Sequence, residues 1–255
     1  MTRRRTPKAV FITGASSGIG RALALEYARR GSAVAVTARR EAELAELAKE
    51  IQAAGGRAVP YVLDVRDEAA TKDVLSRADH EIGPLDMVVA NAGVAAGGLA
   101  QNMAWPDVER VLDINTKGAI CTILCALPVF LSHGHGHLVA VSSLAGRVGL
   151  PRSSVYSASK AAVSTFLQSL RVDLRSTRVS VTDIQAGFVN TPMGAGSRFP
   201  RPFEWSAERA ATYMANRLER RPAVISFQMP HTAMSALARV LPRAVYDLVA
   251  PMLVK

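Results

Sequence analysis

Eight residues near the N-terminus, Thr13-Gly14-Ala15-Ser16-Ser17-Gly18-Ile19-Gly20, restrict this chain more than anything else in it. They follow a short apolar run, residues 8–13. They precede residues 19–30, where Ile19, Leu23 and Tyr27 recur at helical spacing. A strand that turns through glycines straight into a helix opens a β-α-β unit. Gly14 permits the tight turn, Gly18 lets backbone N–H groups approach a pyrophosphate, and Gly20 lets the helix pack closely on the strand. The helix N-terminus turns its partial positive charge toward the same place. A glycine triplet alone is weak evidence, since many are only structural turns. Its position between a strand and a helix makes it a dinucleotide seat.

The same alternation continues along the chain. Residues 32–38, 57–63, 87–90, 137–142, 179–184 and 223–227 read as strands. Residues 41–54, 68–80 and 155–177 read as helices, as do residues 105–131 with a break near Asp113. The strands lack a polar alternation, as strands buried on both faces do. Repeated β-α-β units predict a doubly wound α/β fold, a parallel sheet with helices on both faces, whose ligands sit beyond the carboxyl ends of the strands. No long linker divides the chain, so residues 1–255 are expected to form one domain.

A seat for NAD usually offers a carboxylate to the ribose 2′-hydroxyl about 20 residues after the glycines. Here the second strand ends in Thr37-Ala38-Arg39-Arg40, with no acid before Glu41. A guanidinium pairs readily with a 2′-phosphate. Arg39 comes first after the strand and is the better candidate, which favours NADP(H) over NAD(H).

The loop, then Asn91-Ala92-Gly93, then Tyr156-Ser-Ala-Ser-Lys160, in that order and spacing, resemble the short-chain dehydrogenase/reductase family over roughly residues 8–192. The resemblance implies a Rossmann-type sheet of about seven strands and a homodimer or homotetramer. It implies that Gly14, Ser16, Ser17, Gly18, Ile19 and Gly20 hold the cofactor, with Asp64 and Val65 at the adenine and Asn91, Ala92 and Gly93 along the adenosine. Gly187, Val189 and Thr191 would stand at the nicotinamide, Thr191 holding its carboxamide. Asn115, Ser143, Tyr156 and Lys160 match the catalytic tetrad; Ser143 is preferred to Ser142 because it lies 13 residues before Tyr156. By the same resemblance Lys160 would bind the nicotinamide ribose, and Asn115 would hold a water that passes protons to Lys160. One departure is Ala186-Gly187 where the family usually has Pro-Gly. Proline stiffens such a turn, so a looser nicotinamide wall is expected.

The chemistry is consistent on its own terms. Residues four apart on a helix share a face, which puts Tyr156 and Lys160 together. A phenol is a poor base at neutral pH, and an adjacent ammonium or oxidised nicotinamide favours its ionised form. Tyr156 would then exchange a proton with a carbonyl or alcohol oxygen that Ser143 holds in line. The expected activity is hydride transfer between NADP(H) and a carbonyl or secondary alcohol. The alternative is a dinucleotide-binding sensor or scaffold without catalysis.

The remaining features discriminate less. Two cysteines, Cys121 and Cys125, sit four apart in an apolar stretch and read as buried free thiols, which excludes a disulfide framework and fits a reducing, cytoplasmic setting. The apolar run 118–131 falls short of a bilayer span and reads as a buried helix. His133-Gly-His-Gly-His137 reads as a loop before the fifth strand with no acid nearby in sequence, so no metal site is expected. Asp86 reads as a turn before the fourth strand, and Arg3, Arg4 and Arg5 as a mobile tail. A net charge of +10 invites anions, but the arginines are spread out and no nucleic-acid-binding motif is present, so no specific nucleic-acid partner is expected. The resemblance implies that residues 192–222 form a substrate lid. Its Met193, Phe199, Phe203, Trp205, Tyr213 and Met214 either line a pocket for an apolar substrate or pack the lid down. Residues 230–255 form an amphipathic extension, interrupted by Pro242 and Pro251, that would meet a membrane surface, another subunit or the lid.

Overall fold

A computed structural model of the chain describes residues 6–195, 201 and 203–251; Arg3, Arg4, Arg5, Phe199 and residues 252–255 lie outside them. The first half alternates β1 (Ala9–Thr13), α1 (Gly18–Arg29), β2 (Ala33–Ala38), α2 (Glu41–Ala53), β3 (Arg57–Val62), α3 (Glu68–Glu81) and β4 (Met87–Ala90). The second contains α4 (Trp105–Leu112), α5 (Ala119–His133), β5 (Gly136–Ser143), α6 (Ser154–Asp173), β6 (Val179–Ala186), α7 (Ala207–Leu218), β7 (Val224–Ser226), α8 (Met229–Val240) and α9 (Arg243–Val249).

The strands pair in parallel in the order β3-β2-β1-β4-β5-β6-β7. The order reverses between β1 and β4, which opens a crevice at their carboxyl ends. On one face Leu23 and Tyr27 of α1, Leu44 and Leu47 of α2 and Met214 of α7 pack on the sheet. On the other, Leu75 of α3, Ile123 and Phe130 of α5 and Leu167 of α6 do so. The sandwich expected from the sequence is therefore present.

Several details depart from the pattern. The break near Asp113 is a π-helical turn over residues 113–118, so α4 and α5 run on as one rod. By length and composition that rod is long and apolar enough to cross a membrane. Ile123, Ala126 and Phe130 nevertheless lie wholly in the sheet core, so its hydrophobicity has a partner already. Cys121 and Cys125 are half-buried rather than buried, with Sγ atoms 3.9 Å apart, and burial pushes the Cys125 thiol up to about 11.

The histidines 133–137 do not form a loop. His133 ends α5 with Nε2 3.2 Å from Asp79, while His137 lies inside β5 bonded to Thr182 Oγ1 at 2.8 Å. Among the described residues no three ligating side chains converge on a metal position. Asp86 accepts from the backbone N–H groups of Lys8 and Ala9 and so ties the start of β1 to β4.

Within residues 192–222, α7 is a core helix against α1 and not part of a lid. Ala210, Ala211, Met214 and Leu218 are buried. The cause is that its small side chains allow close helix approach. The stretch that can cover the crevice narrows to the residues before α7.

Candidate active site

The glycine loop is built by contact between backbones. Gly14 and Gly18 have φ of +68° and +57°, a region that favours glycine. A Cβ on Gly14 would lie 2.7 Å from the Ala92 Cα, and one on Gly20 would lie 2.4 Å from the Gly14 carbonyl oxygen. Asn91 fixes the arrangement: its Nδ2 donates to the Thr13 and Gly14 carbonyls at 2.9 and 3.3 Å. The Thr13 hydroxyl accepts from the N–H groups of Asn91 and Ala92 at 3.0 and 3.1 Å. Thr13 is thus a structural part of the cradle, and its place directly before Gly14 is the only sign of this in the sequence. A Cβ on Gly18 would meet Thr191 Cγ2 at 3.0 Å, so the two ends proposed to flank a dinucleotide are neighbours.

This cradle fits a dinucleotide. A helix N-terminus at Gly18 and a loop closed to Cβ atoms leave backbone N–H groups as the natural phosphate donors. Beside it, Arg40 donates to the hydroxyls of Ser16 and Ser17 at 2.8 and 3.0 Å and pairs with Glu43 at 3.1 Å. The guanidinium on the loop is therefore that of Arg40. Arg39 is exposed and close enough to add its charge to Asp64, whose carboxyl the Arg66 guanidinium holds below the usual range. Asp64 accepts from Arg66 through both oxygens. Buried Val65 packs under Gly118, where a Cβ would come within 2.5 Å of it.

Asn115 is wholly buried in the π-helical turn. Its Oδ1 accepts from Val94 N at 2.8 Å, and its Nδ2 donates to the Val94 carbonyl and to Ser159 Oγ at 2.9 and 3.1 Å. This clamp fixes the chain just after Gly93. With the side-chain amide so engaged, a water relay to Lys160 would have to start from another atom of the residue. A Cβ on Gly93 would meet Asn115 Oδ1 at 3.3 Å and Lys160 Nζ at 3.5 Å, so the three lie together.

Ser143 ends β5. Its Oγ donates to the Ala186 carbonyl at 3.2 Å and accepts from Ala145 N at 3.1 Å. Tyr156 lies near the start of α6, half-buried, and Lys160 one turn later, buried. Burial pushes the Tyr156 phenol up, while a hydrogen bond with Ser143 pulls it back. The expected lowering by an ammonium thus meets a larger opposing effect in the protein itself. Lys160 Nζ donates to the Val141 carbonyl at 2.9 Å and stands 5.9 Å from the Tyr156 ring centre. Burial lowers Lys160 to about 8, against an opposing pull from Asp183.

Gly187, Phe188 and Val189 form a wall that is clamped rather than loose. Gln228 accepts from Phe188 N at 2.7 Å and returns a hydrogen bond to the Phe188 carbonyl. A Cβ on Gly187 would collide with Gln228. The clamp does the stiffening expected of the missing proline. Trp205 stacks on Phe227 at 5.1 Å and meets Tyr213 edge-on at 5.4 Å. Packing therefore accounts for Trp205, Tyr213 and Met214. Met193 and Phe203 are exposed.

A sequence profile described as short chain dehydrogenase matches residues 8–200. An uncharacterized oxidoreductase of Myxococcus xanthus is 44% identical over 243 residues, 95% of this chain and 96% of that one. A 3-oxoacyl-[acyl-carrier-protein] reductase of Thermotoga maritima is 33% identical over 73% of this chain and 76% of its own length. Among solved structures, a short chain dehydrogenase/reductase from Burkholderia phymatum in complex with NAD superposes with a TM-score of 0.84 at 25% identity, covering 91% of this chain and 92% of that one. A variant of actinorhodin polyketide ketoreductase with NADPH gives 0.81 at 26% identity, covering 91% and 99%.

Proposed function

Since this chain belongs to the short-chain dehydrogenase family, we propose that it is an NADP(H)-dependent oxidoreductase interconverting a carbonyl and a secondary alcohol on a lipophilic substrate. The observation that carries the reading is the convergence of Ser143, Tyr156 and Lys160 at the carboxyl end of β5, beside a cradle closed to Cβ atoms. When bound, the dinucleotide supplies or accepts the hydride.

Every other part belongs to side chains. Ser143 Oγ hydrogen-bonds the reacting oxygen and fixes its direction. Tyr156 Oη gives that oxygen a proton in reduction and takes one in oxidation. The Lys160 ammonium favours the phenolate when the proton has left. Asn115 keeps Val94, and with it the turn after Gly93, in place. NADP(H) is favoured by the guanidinium on Ser16 and Ser17, by Arg39 nearby and by the lack of an acid over residues 37–40. An apolar substrate is favoured by the exposed Met193 and Phe203 on the segment before α7.

We extend this reading to α8 and α9. Leu237, Val240 and Leu248 are 60, 76 and 71% exposed, on helices that also carry Arg239 and Arg243. An apolar stripe with cations suits an anionic lipid surface, from which an apolar substrate would arrive. Sedimentation with phosphatidylglycerol vesicles, and not with phosphatidylcholine vesicles, is the expected result.

The deciding experiment follows nicotinamide absorbance with a panel of aliphatic, aromatic and steroidal ketones. Tyr156→Phe should bind NADPH as before and lose turnover by about 10²–10⁴-fold. A wild type that binds NADPH and turns over nothing would favour the sensor.

A further inference from the structure

We infer that Asp183 is a positioning residue for Lys160: a buried carboxylate, held by Ser142 and Gln185 on the α6 side of the sheet, that keeps the catalytic lysine in its ammonium form. This rests on the catalytic reading of Lys160.

Asp183 is 3% exposed in the middle of β6. Side chains alternate along a strand, so Asp183 shares a face with Val179 and Val181, which pack with Leu167 and Leu170 of α6. An apolar residue is expected there, and a lone carboxylate in such a place is costly unless it is hydrogen-bonded and paired with charge. Its hydrogen bonds are present. Oδ1 accepts from Ser142 Oγ at 2.5 Å, and Oδ2 accepts from Gln185 Nε2 at 2.7 Å.

The charges around it come from three elements. Lys160 reaches down from α6 to the Val141 carbonyl, one residue before Ser142. Arg147, from the turn after β5, donates through Nε to Gln185 Oε1 at 2.6 Å. Arg239 of α8 bears on Arg147 from beyond it. Tyr156 lies one turn before Lys160. His137 is bonded to Thr182 on the opposite face of the sheet. The negative charge of Asp183 raises both Lys160 and Arg147 against the lowering effect of their burial. Ser142 thus does work distinct from that of Ser143. One serine faces the reacting oxygen, and its neighbour holds the anion that keeps the lysine charged. Arg147 also donates to the Thr232 carbonyl and Ser235 Oγ, at 3.5 and 3.4 Å, so the same network reaches α8.

The test reads Lys160 directly. Its side-chain ¹³Cε signal is titrated in the full chain without cofactor, and assigned by its loss in Lys160→Met. Asp183→Asn and Asp183→Thr remove the charge while keeping a group able to bond Ser142; the threonine also suits a buried strand if the asparagine fails to fold. Both should lower the Lys160 midpoint by about one pH unit or more, a tenfold change in its protonation constant. Asp183→Glu should restore part of it. The alkaline limb of kcat/KM should move down with the midpoint. A folded neutral variant whose Lys160 midpoint stays in place makes Asp183 merely structural and overturns the inference. So does a midpoint that moves while the kinetic limb does not. Should the wild type reduce no carbonyl, the catalytic reading fails instead, while the titration still decides whether Asp183 holds the lysine charged.

Discussion

Around the glycine loop backbone meets backbone, whereas at the C-terminal end a few polar clamps hold two helices of which no described residue is buried. Gly14, Gly20, Asn91 and Ala92 leave no room for even a methyl group between them. α8 and α9 hang instead on Gln228 against Phe188, on Arg147 against Thr232 and Ser235, and on the Tyr246 hydroxyl donating to the Gly149 carbonyl. The first arrangement suits a ligand that never changes shape. The second leaves the C-terminal helices attached at a few points only.

The sharpest break of that comparison is Gly20→Ala. Its Cβ would press on the Gly14 carbonyl and on Asn91, and neither can give without moving the loop. We expect a loss of about 3 kcal/mol of stability together with loss of NADPH binding, read by urea denaturation and fluorescence titration.

Second comes acid. Burial depresses His137 from its ordinary value to about 3. The unfolded chain therefore binds a proton that the folded one refuses, and stability falls as pH drops from about 6.5 toward 3. At pH 5 this contribution costs about 2 kcal/mol. His137→Gln, which can keep a hydrogen bond to Thr182, should lose less stability between pH 7 and pH 5 than the wild type, by comparison of urea midpoints.

Third, Arg40→Ala should weaken NADPH about tenfold, the loss of a charge-assisted contact, and leave NADH almost unchanged. Arg39→Ala should do less, and a larger effect there would return the 2′-phosphate to the first arginine. The smallest effect is expected at the other end. Leu248→Asp should change stability by less than about 0.5 kcal/mol, as exposed positions do, yet abolish sedimentation with anionic vesicles. A large loss of stability instead would mean that α9 is packed as the loop is packed.

How far the sequence could be read follows the same division. The strand, glycines and first helix were legible because the apolar spacing and the turn residues are local. Tyr156 and Lys160 were legible for the same reason, being one turn apart on a strongly periodic helix. The π-helical turn was not, since Asn115 is held by Val94, a partner 21 residues away. Arg39 and Arg40 cannot be ranked from their order alone, because side-chain direction after β2 decides which one lands on the serines. The lid over residues 192–222 comes from the resemblance, and a small apolar stripe in sequence does not tell whether α7 faces a pocket or a core. Asp183 was hidden as a single acid in a strand that otherwise reads as buried.

The π-helical turn has one more consequence. Bonds from residue i to i+5 take in one residue more than the regular winding does. The wide turn therefore takes up that residue locally; the same extra residue in regular winding would rotate everything from Ala119 to His133 by about 100° against α4. Ile123, Ala126 and Phe130 would then face away from the sheet. The wide turn thus carries the Asn115 amide while keeping the phase of the helix that follows it.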